Sequence, residues 1–233
     1  MTTANETDSA LDPGMLEALR EGVAGVLAER CDSTALHAFI DGKNSLTADL
    51  WAQAAALGWF GFGIAERHGG LGLGCQGLSI LHRELGRAAA PGPYVATLSA
   101  AQVIADCGDD ALRAAWLPRL AAGAVSVAVP VAVAASPLTR SAGVSGTLRC
   151  LGAPDAAILL APAGNAWVVA DLAGARVTRA PMWDMTRDVI DVTLSDAPIV
   201  GVLADARAAR QTLTRAMALA LAADCAGGAR SVT

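Results

Sequence analysis

The sequence predicts an α+β fold whose helices and strands are segregated along the chain. Three observations carry this. From about Leu11 to Leu120 apolar side chains recur at helical spacing; from about Ala124 to Ile199 the chain becomes short valine-rich runs broken by Gly, Pro and Asp; from about Val202 an alanine-rich helical pattern returns. Helices, then strands, then a helix, with no βαβ alternation, argue against a parallel doubly wound sheet. The expected division is an N-terminal all-α domain over residues 1–122 and a small middle β domain over 123–200. Residues 201–233 would then form the first helix of an incomplete C-terminal helical domain.

In the first segment, Leu50, Ala54 and Leu57 share a helical stripe beside Trp51, and Gly58 follows as a C-cap. Leu78, Leu81 and Leu85 make a second stripe, with Arg83 and Glu84 expected to face away from it. Pro91 bars its continuation. A third helix fits Thr97 to Cys107, ended by Gly108. A fourth starts at Asp109 or Asp110, both good N-caps, and Pro118 is expected to end or kink it. Between them Gly61, Gly63, Gly69, Gly70, Gly72 and Gly74 predict a tight non-helical loop. The loop lacks both G-x-G-x-x-G after a strand and a following Lys-Ser/Thr, so it fails as a nucleotide loop.

In the second segment strands are expected at about 125–133, 157–161, 166–171 and 189–194. The last alternates, with Val189, Asp191 and Thr193 on one face and Ile190, Val192 and Leu194 on the other. The third segment, 204–226, reads as one long helix with Leu213, Met217 and Leu221 on its stripe.

Composition narrows the function. The chain is 54% hydrophobic and only 17% charged, the opposite of a disordered balance. Net charge is −5 and no Lys/Arg run exceeds two residues, so no nucleic-acid partner is expected. Residues 121–139 carry no charge, close to a membrane-spanning length. But valines at 125, 127, 129, 131 and 133, with Pro130 among them, describe a buried strand instead, so no membrane span is expected. The first residues lack a basic stretch followed by an apolar one, as a secretory signal would have. The five cysteines form no C-x-x-C pair and the three histidines no metal spacing. No metal is expected; the cysteines read as reduced, mostly buried thiols of a cytoplasmic protein, and each histidine as a satisfied surface or core residue.

Four motifs in order add a resemblance. They are Trp51-Ala-Gln-Ala-Ala-Ala-Leu-Gly-Trp59 followed by Glu66-Arg-His-Gly69-Gly70-Leu-Gly72; Glu84-Leu-Gly-Arg-Ala88 with Pro91; Leu117-Pro-Arg-Leu-Ala-Ala-Gly123; and Trp183-Asp-Met-Thr-Arg187. Together they resemble the acyl-CoA dehydrogenase family over about residues 47–230. The resemblance implies an N-terminal helical domain, a β domain and a C-terminal four-helix bundle. It implies FAD between the latter two and an acyl-CoA substrate desaturated between its α and β carbons. It also implies homo- or hetero-oligomers of acyl-CoA dehydrogenase-type subunits.

The same resemblance marks departures. Ala132-Val133-Ala134 stands where the family carries Thr/Ser-Glu-Pro, with only Ser136-Pro137 nearby. Cys150 and Gly152 stand where it carries Trp-x-Thr/Ser beside the flavin. The implied cofactor positions are therefore Ala132, Ser136, Cys150 and Gly152. No catalytic base is expected. Met217 occupies the place where some relatives carry one, and Asp224, the only carboxylate in 213–226, reads as a solvated helix residue. The expected function is an acyl-CoA dehydrogenase-like flavoprotein. The alternative is a non-catalytic subunit that completes a partner enzyme. A last helix with little to bury its apolar face against predicts an oligomeric, partner-bound or aggregation-prone chain.

Overall fold

The computed structural model describes residues 11–132 and 138–231. Six helices come first: α1 Pro13–Arg30, α2 Ser33–Ile40, α3 Leu46–Ala56, α4 Gly74–Arg87, α5 Tyr94–Cys107 and α6 Asp110–Ala121. Local chemistry sets their ends. Asp12, Asp32 and Asp109 each accept a backbone N–H of the first turn, from Met15, Ala35 and Leu112. Gly58 takes φ +72° just past α3, which turns the chain into a short 3-10 turn at Trp59–Gly61. The glycine-dense loop is held by its own backbone: the N–H groups of Leu71, Gly72 and Leu73 donate to the carbonyls of Gly61, Ile64 and Phe62.

Eight strands follow: β1 Val127–Pro130, β2 Thr139–Arg140, β3 Val144–Leu151, β4 Ile158–Ala163, β5 Ala166–Asp171, β6 Arg176–Arg179, β7 Val189–Ala197 and β8 Ile199–Leu203. Their order is β6-β7-β3-β1-β4-β5-β8, with β2 on β3. Among the described residues only the β1–β4 pairing is parallel. Val127, Val129, Ile158, Leu160, Trp167 and Val169 face α5, α6 and the last helix, α7 Ala206–Ser231. On the other face Ala128, Cys150, Leu159, Val168, Ile190 and Val192 share one cluster, so the sheet curls over itself around a second core.

Several expectations change. β1 is shorter than 125–133: Val131 and Ala132 are exposed beyond it, and Val133 lies outside the described residues. Strands β2, β6 and β8, absent from the sequence reading, complete the sheet. The third helix begins at Tyr94, three residues early. Pro118 does not end α6, which runs to Ala121 because buried Leu117 and Leu120 hold both sides of it. Glu84 does not face away. It is buried, accepting from Arg87 Nε at 2.7 Å with Arg83 Nε 3.7 Å away. Two cysteines, Cys75 and Cys225, are exposed.

The largest change concerns α7. Its buried face is Ala209, Leu213, Ala220, Ala223 and Gly227, and Leu221 is exposed. The helix has ample surface to bury against, because it packs along α4 and α5. The crossing with α4 is a backbone contact. A Cβ on Gly227 would strike the Arg83 carbonyl, and one on Gly86 would strike the Asp224 carbonyl.

Candidate functional site

Three helices line an open cavity of about 350 Å3. α4 contributes Cys75, Leu78 and His82; α5 contributes Leu98, Ser99, Gln102 and Asp106; α7 contributes Thr212, Arg215, Ala216 and Leu219. Within each helix the lining residues repeat at i, i+3 or i+4, and i+7, one face of a 3.6-residue helix. The position of α7 follows from its glycine crossing with α4. That of α5 follows from buried Thr97, whose hydroxyl accepts the backbone N–H of Val127 at 3.2 Å and ties the helix to β1.

The lining is unusually polar for an interior wall. Gln102 Nε2 donates to the Gly63 carbonyl at 2.9 Å, which fastens the glycine loop to the cavity. Thr212 Oγ1 receives Cys107 Sγ at 3.8 Å and Arg215 Nη2 at 3.4 Å. Burial raises the Asp106 pKa against the opposing pull of Arg215 and Arg113. His82 is 1% exposed and Ser99 2%. Neither His82 Nδ1 nor Ser99 Oγ has a hydrogen-bond partner. Burial, helped by the Arg187 charge, pushes the His82 pKa down to about 4, so the imidazole is neutral near pH 7. His82 is therefore a core histidine, but not the satisfied one expected.

A second anchor closes the α4–α7 end of the molecule. Arg187, in the β6–β7 loop, donates from Nη2 to Asp224 Oδ1 at 2.7 Å and from Nη1 to the Ala90 carbonyl at 2.6 Å. Asp224 is thus a half-buried partner in an ion pair, not a solvated helix residue.

Known proteins share this architecture and resemble this sequence. The family model described as "Acyl-CoA dehydrogenase, N-terminal domain" matches residues 15–124. Acyl-CoA dehydrogenase FadE34 of Mycobacterium tuberculosis is 30% identical over 216 residues, which are 91% of this chain and 29% of that protein. Among solved structures, a variant of the Tcur3481-Tcur3483 steroid ACAD superposes with a TM-score of 0.81 at 27% identity, over 94% of this chain and 64% of that one. The chain belongs to the acyl-CoA dehydrogenase family. (2S)-Methylsuccinyl-CoA dehydrogenase of Cereibacter sphaeroides is 37% identical over 117 residues, 49% of this chain and 19% of that protein. A Mycobacterium smegmatis glutaryl-CoA dehydrogenase solved with FADH2 shares the fold, with a TM-score of 0.81 at 16% identity over 97% of this chain and 65% of that one. The chain spans under a third of the length of these curated relatives.

Of the acyl-CoA dehydrogenase positions singled out for the flavin, Ala132, Cys150 and Gly152 do not line the three-helix cavity. Ala132 is exposed past the end of β1. Ser136 lies outside the described residues. Cys150 is fully enclosed in the inner β core, with burial pushing its thiol up to about 12. Gly152 follows β3 at φ +148°, with Ala128 Cα 2.9 Å from where a Cβ would stand. The structure brings Cys150 and Gly152 beside β1, where Pro130 pairs with Cys150, but not around an open cleft. Ala132, Cys150 and Gly152 offer neither a hydroxyl nor an aromatic face, so the residues present fit a flavin ring poorly. Met217 packs partly buried against the helix–sheet core and does not line the cavity.

The sequence reading missed His82, Ser99, Gln102, Asp106 and Thr212 as cavity residues. A signal existed: Ser99, Gln102 and Asp106 are polar at i, i+3 and i+7 in an otherwise apolar helix. A larger cleft of about 910 Å3 separates α2 and α3 from the β3–β4 and β6–β7 loops, between Trp51, Thr47, Asp155 and Asp188. None of the buried polar atoms without a partner lines it. Among the described residues no helix is long and apolar enough to cross a membrane.

Proposed function

We propose that this chain is an acyl-CoA dehydrogenase-like subunit of an oxidoreductase acting on the CH–CH group of an acyl-CoA thioester. Its part is to wall the cavity that receives the acyl group. The observation that carries this reading is the seating of α7 on α4 and α5, which forms an open-mouthed cavity within a family fold. FAD would supply the hydride acceptor, and because Ala132, Cys150 and Gly152 offer it neither a hydroxyl nor an aromatic face, a partner subunit of the same family would hold it. The chain's own residues orient the acyl group. α4 and α5 exclude water from one side and α7 from the other, so the reacting carbons are presented in a low-dielectric space. Asp106 is the carboxylate that lines this cavity, flanked by the charges of Arg113 and Arg215. We assign the proton-abstracting base to the partner as well.

A second reading, in which the subunit is purely non-catalytic, draws on Cys150, because a thiol sealed in the β core cannot shield a flavin. One experiment separates the readings. The chain is purified alone and with co-expressed family subunits, and absorbance is recorded in the flavin band at roughly 350–500 nm. A yellow complex that reduces an artificial acceptor with an acyl-CoA supports the oxidoreductase. Complexes that stay colourless and inert with every acyl-CoA would sink it.

A further inference from the structure

We infer that the α4–α5–α7 cavity takes an acyl group bearing a hydroxyl or carbonyl oxygen, hydrogen-bonded by His82 and Ser99, rather than a plain hydrocarbon chain. The inference rests on the acyl-CoA reading for the word acyl, but on the cavity itself for the oxygen. His82 and Ser99 belong to adjacent helices, line the same cavity and are almost wholly buried, and His82 Nδ1 and Ser99 Oγ have no partner. Both atoms are already withdrawn from water, and a saturated chain filling the cavity would leave them unpaired, an arrangement proteins avoid. A ligand oxygen removes the conflict, and the discrimination is strong where buried polar groups would otherwise stay unpaired.

The kind of oxygen also follows. The neutral imidazole carries one donor and one acceptor nitrogen, and the serine hydroxyl can serve either way. Neither contributes a positive charge, so the pair suits a neutral hydroxyl or ketone better than a carboxylate. Arg215, the cation among the lining residues, stands across the cavity from Asp106 and is held to Thr212. Leu78, Leu98 and Leu219 supply the apolar remainder of the wall, so the oxygen is a substituent on a hydrocarbon frame rather than part of a sugar-like group.

The test uses matched ligands on the protein with whatever subunit co-purifies. Calorimetry compares hexanoyl-CoA with its ω-hydroxy counterpart. In parallel, cyclohexanol and methylcyclohexane are titrated while the His82 imidazole resonances are followed. Tighter binding of the hydroxylated thioester, by about tenfold for one or two net hydrogen bonds, and loss of that preference in Ser99→Ala, would support the inference. His82→Leu should shift the preference toward hexanoyl-CoA. Equal binding of the two thioesters, or a preference for hexanoyl-CoA in the unaltered protein, overturns the oxygen while leaving the acyl-CoA reading intact. If neither thioester binds yet cyclohexanol alone moves His82, the acyl-CoA reading fails and the oxygen preference stands. If cyclohexanol and methylcyclohexane act alike and no thioester binds, both are wrong.

Discussion

Arg187 and Asp224 meet at 2.7 Å across the junction of the β domain and the last helix, with both side chains largely withdrawn from solvent. The same guanidinium holds the Ala90 carbonyl, so one side chain joins the β6–β7 loop, the turn after α4 and helix α7. Arg187→Ala should therefore cost about 2–3 kcal/mol, the range for a charge-assisted bond lost from a partly buried site. Arg187→Lys should recover little, since an ammonium lacks the planar fork that serves two acceptors. Urea unfolding of both variants checks this; a loss below about 0.5 kcal/mol, the level of an exposed pair, would show the junction is held elsewhere.

Gly227→Ala should be more damaging than a typical helix substitution, although alanine favours helix formation. The added methyl would meet the Arg83 carbonyl, a backbone atom that cannot turn aside. A destabilisation of about 2 kcal/mol or more is expected from overpacking. Gly228→Ala, next to it but only in ordinary contact with the Gly86 carbonyl, serves as the control and should be neutral or mildly stabilising. Thermal melts of the pair measure the difference.

His82 makes stability depend on pH in a defined window. Its folded pKa, about 4, lies below the unfolded value near 6.5, so between these limits the unfolded chain binds the extra proton. Stability from this group is complete above about pH 6.5 and falls as pH drops toward 4, by about 3 kcal/mol in all. His82→Leu should remove that slope between pH 5 and 7, above most carboxylate titration. Parallel denaturation curves in that interval would refute the assignment if wild type and variant share the same slope.

Thiol chemistry should divide four of the five cysteines sharply. Cys75 and Cys225 are exposed and should react at once with a chromogenic disulfide reagent. Cys31 and Cys150 are buried, with burial pushing their pKa up to about 11 and about 12, and should stay silent until the chain is unfolded. Fast labelling of Cys150 in the native protein, located by peptide mass, would mean that the inner β core opens.

The helical half was legible because its signals are local. Leu78, Leu81 and Leu85 repeat every three or four residues and are all buried, and Asp109 caps where its neighbours predict. Strand β7 was equally clear from its alternation. β6 and β8 were not, because exposed arginines and a central glycine blur the period of two. Glu84 and Asp224 misled for another reason. Each is neutralised by an arginine placed through tertiary structure or the neighbouring turn, and hydropathy alone assigns such carboxylates to solvent. The cavity required knowing that α7 returns to α4 and α5, a pairing between segments more than 100 residues apart in sequence, as the Cys107–Thr212 contact shows.

The glycine crossing of α4 and α7 is placed where a tilt of α7 would be amplified along the helix. Thr212 lies 15 residues before Gly227 on the same helix, so it stands about 22 Å from the crossing at 1.5 Å per residue. A tilt of about 5° there would carry the Thr212 end through about 2 Å, enough to change which groups the cavity admits. A side-chain change near residue 227 that tilted α7 would therefore alter the bore of the cavity from about 22 Å away.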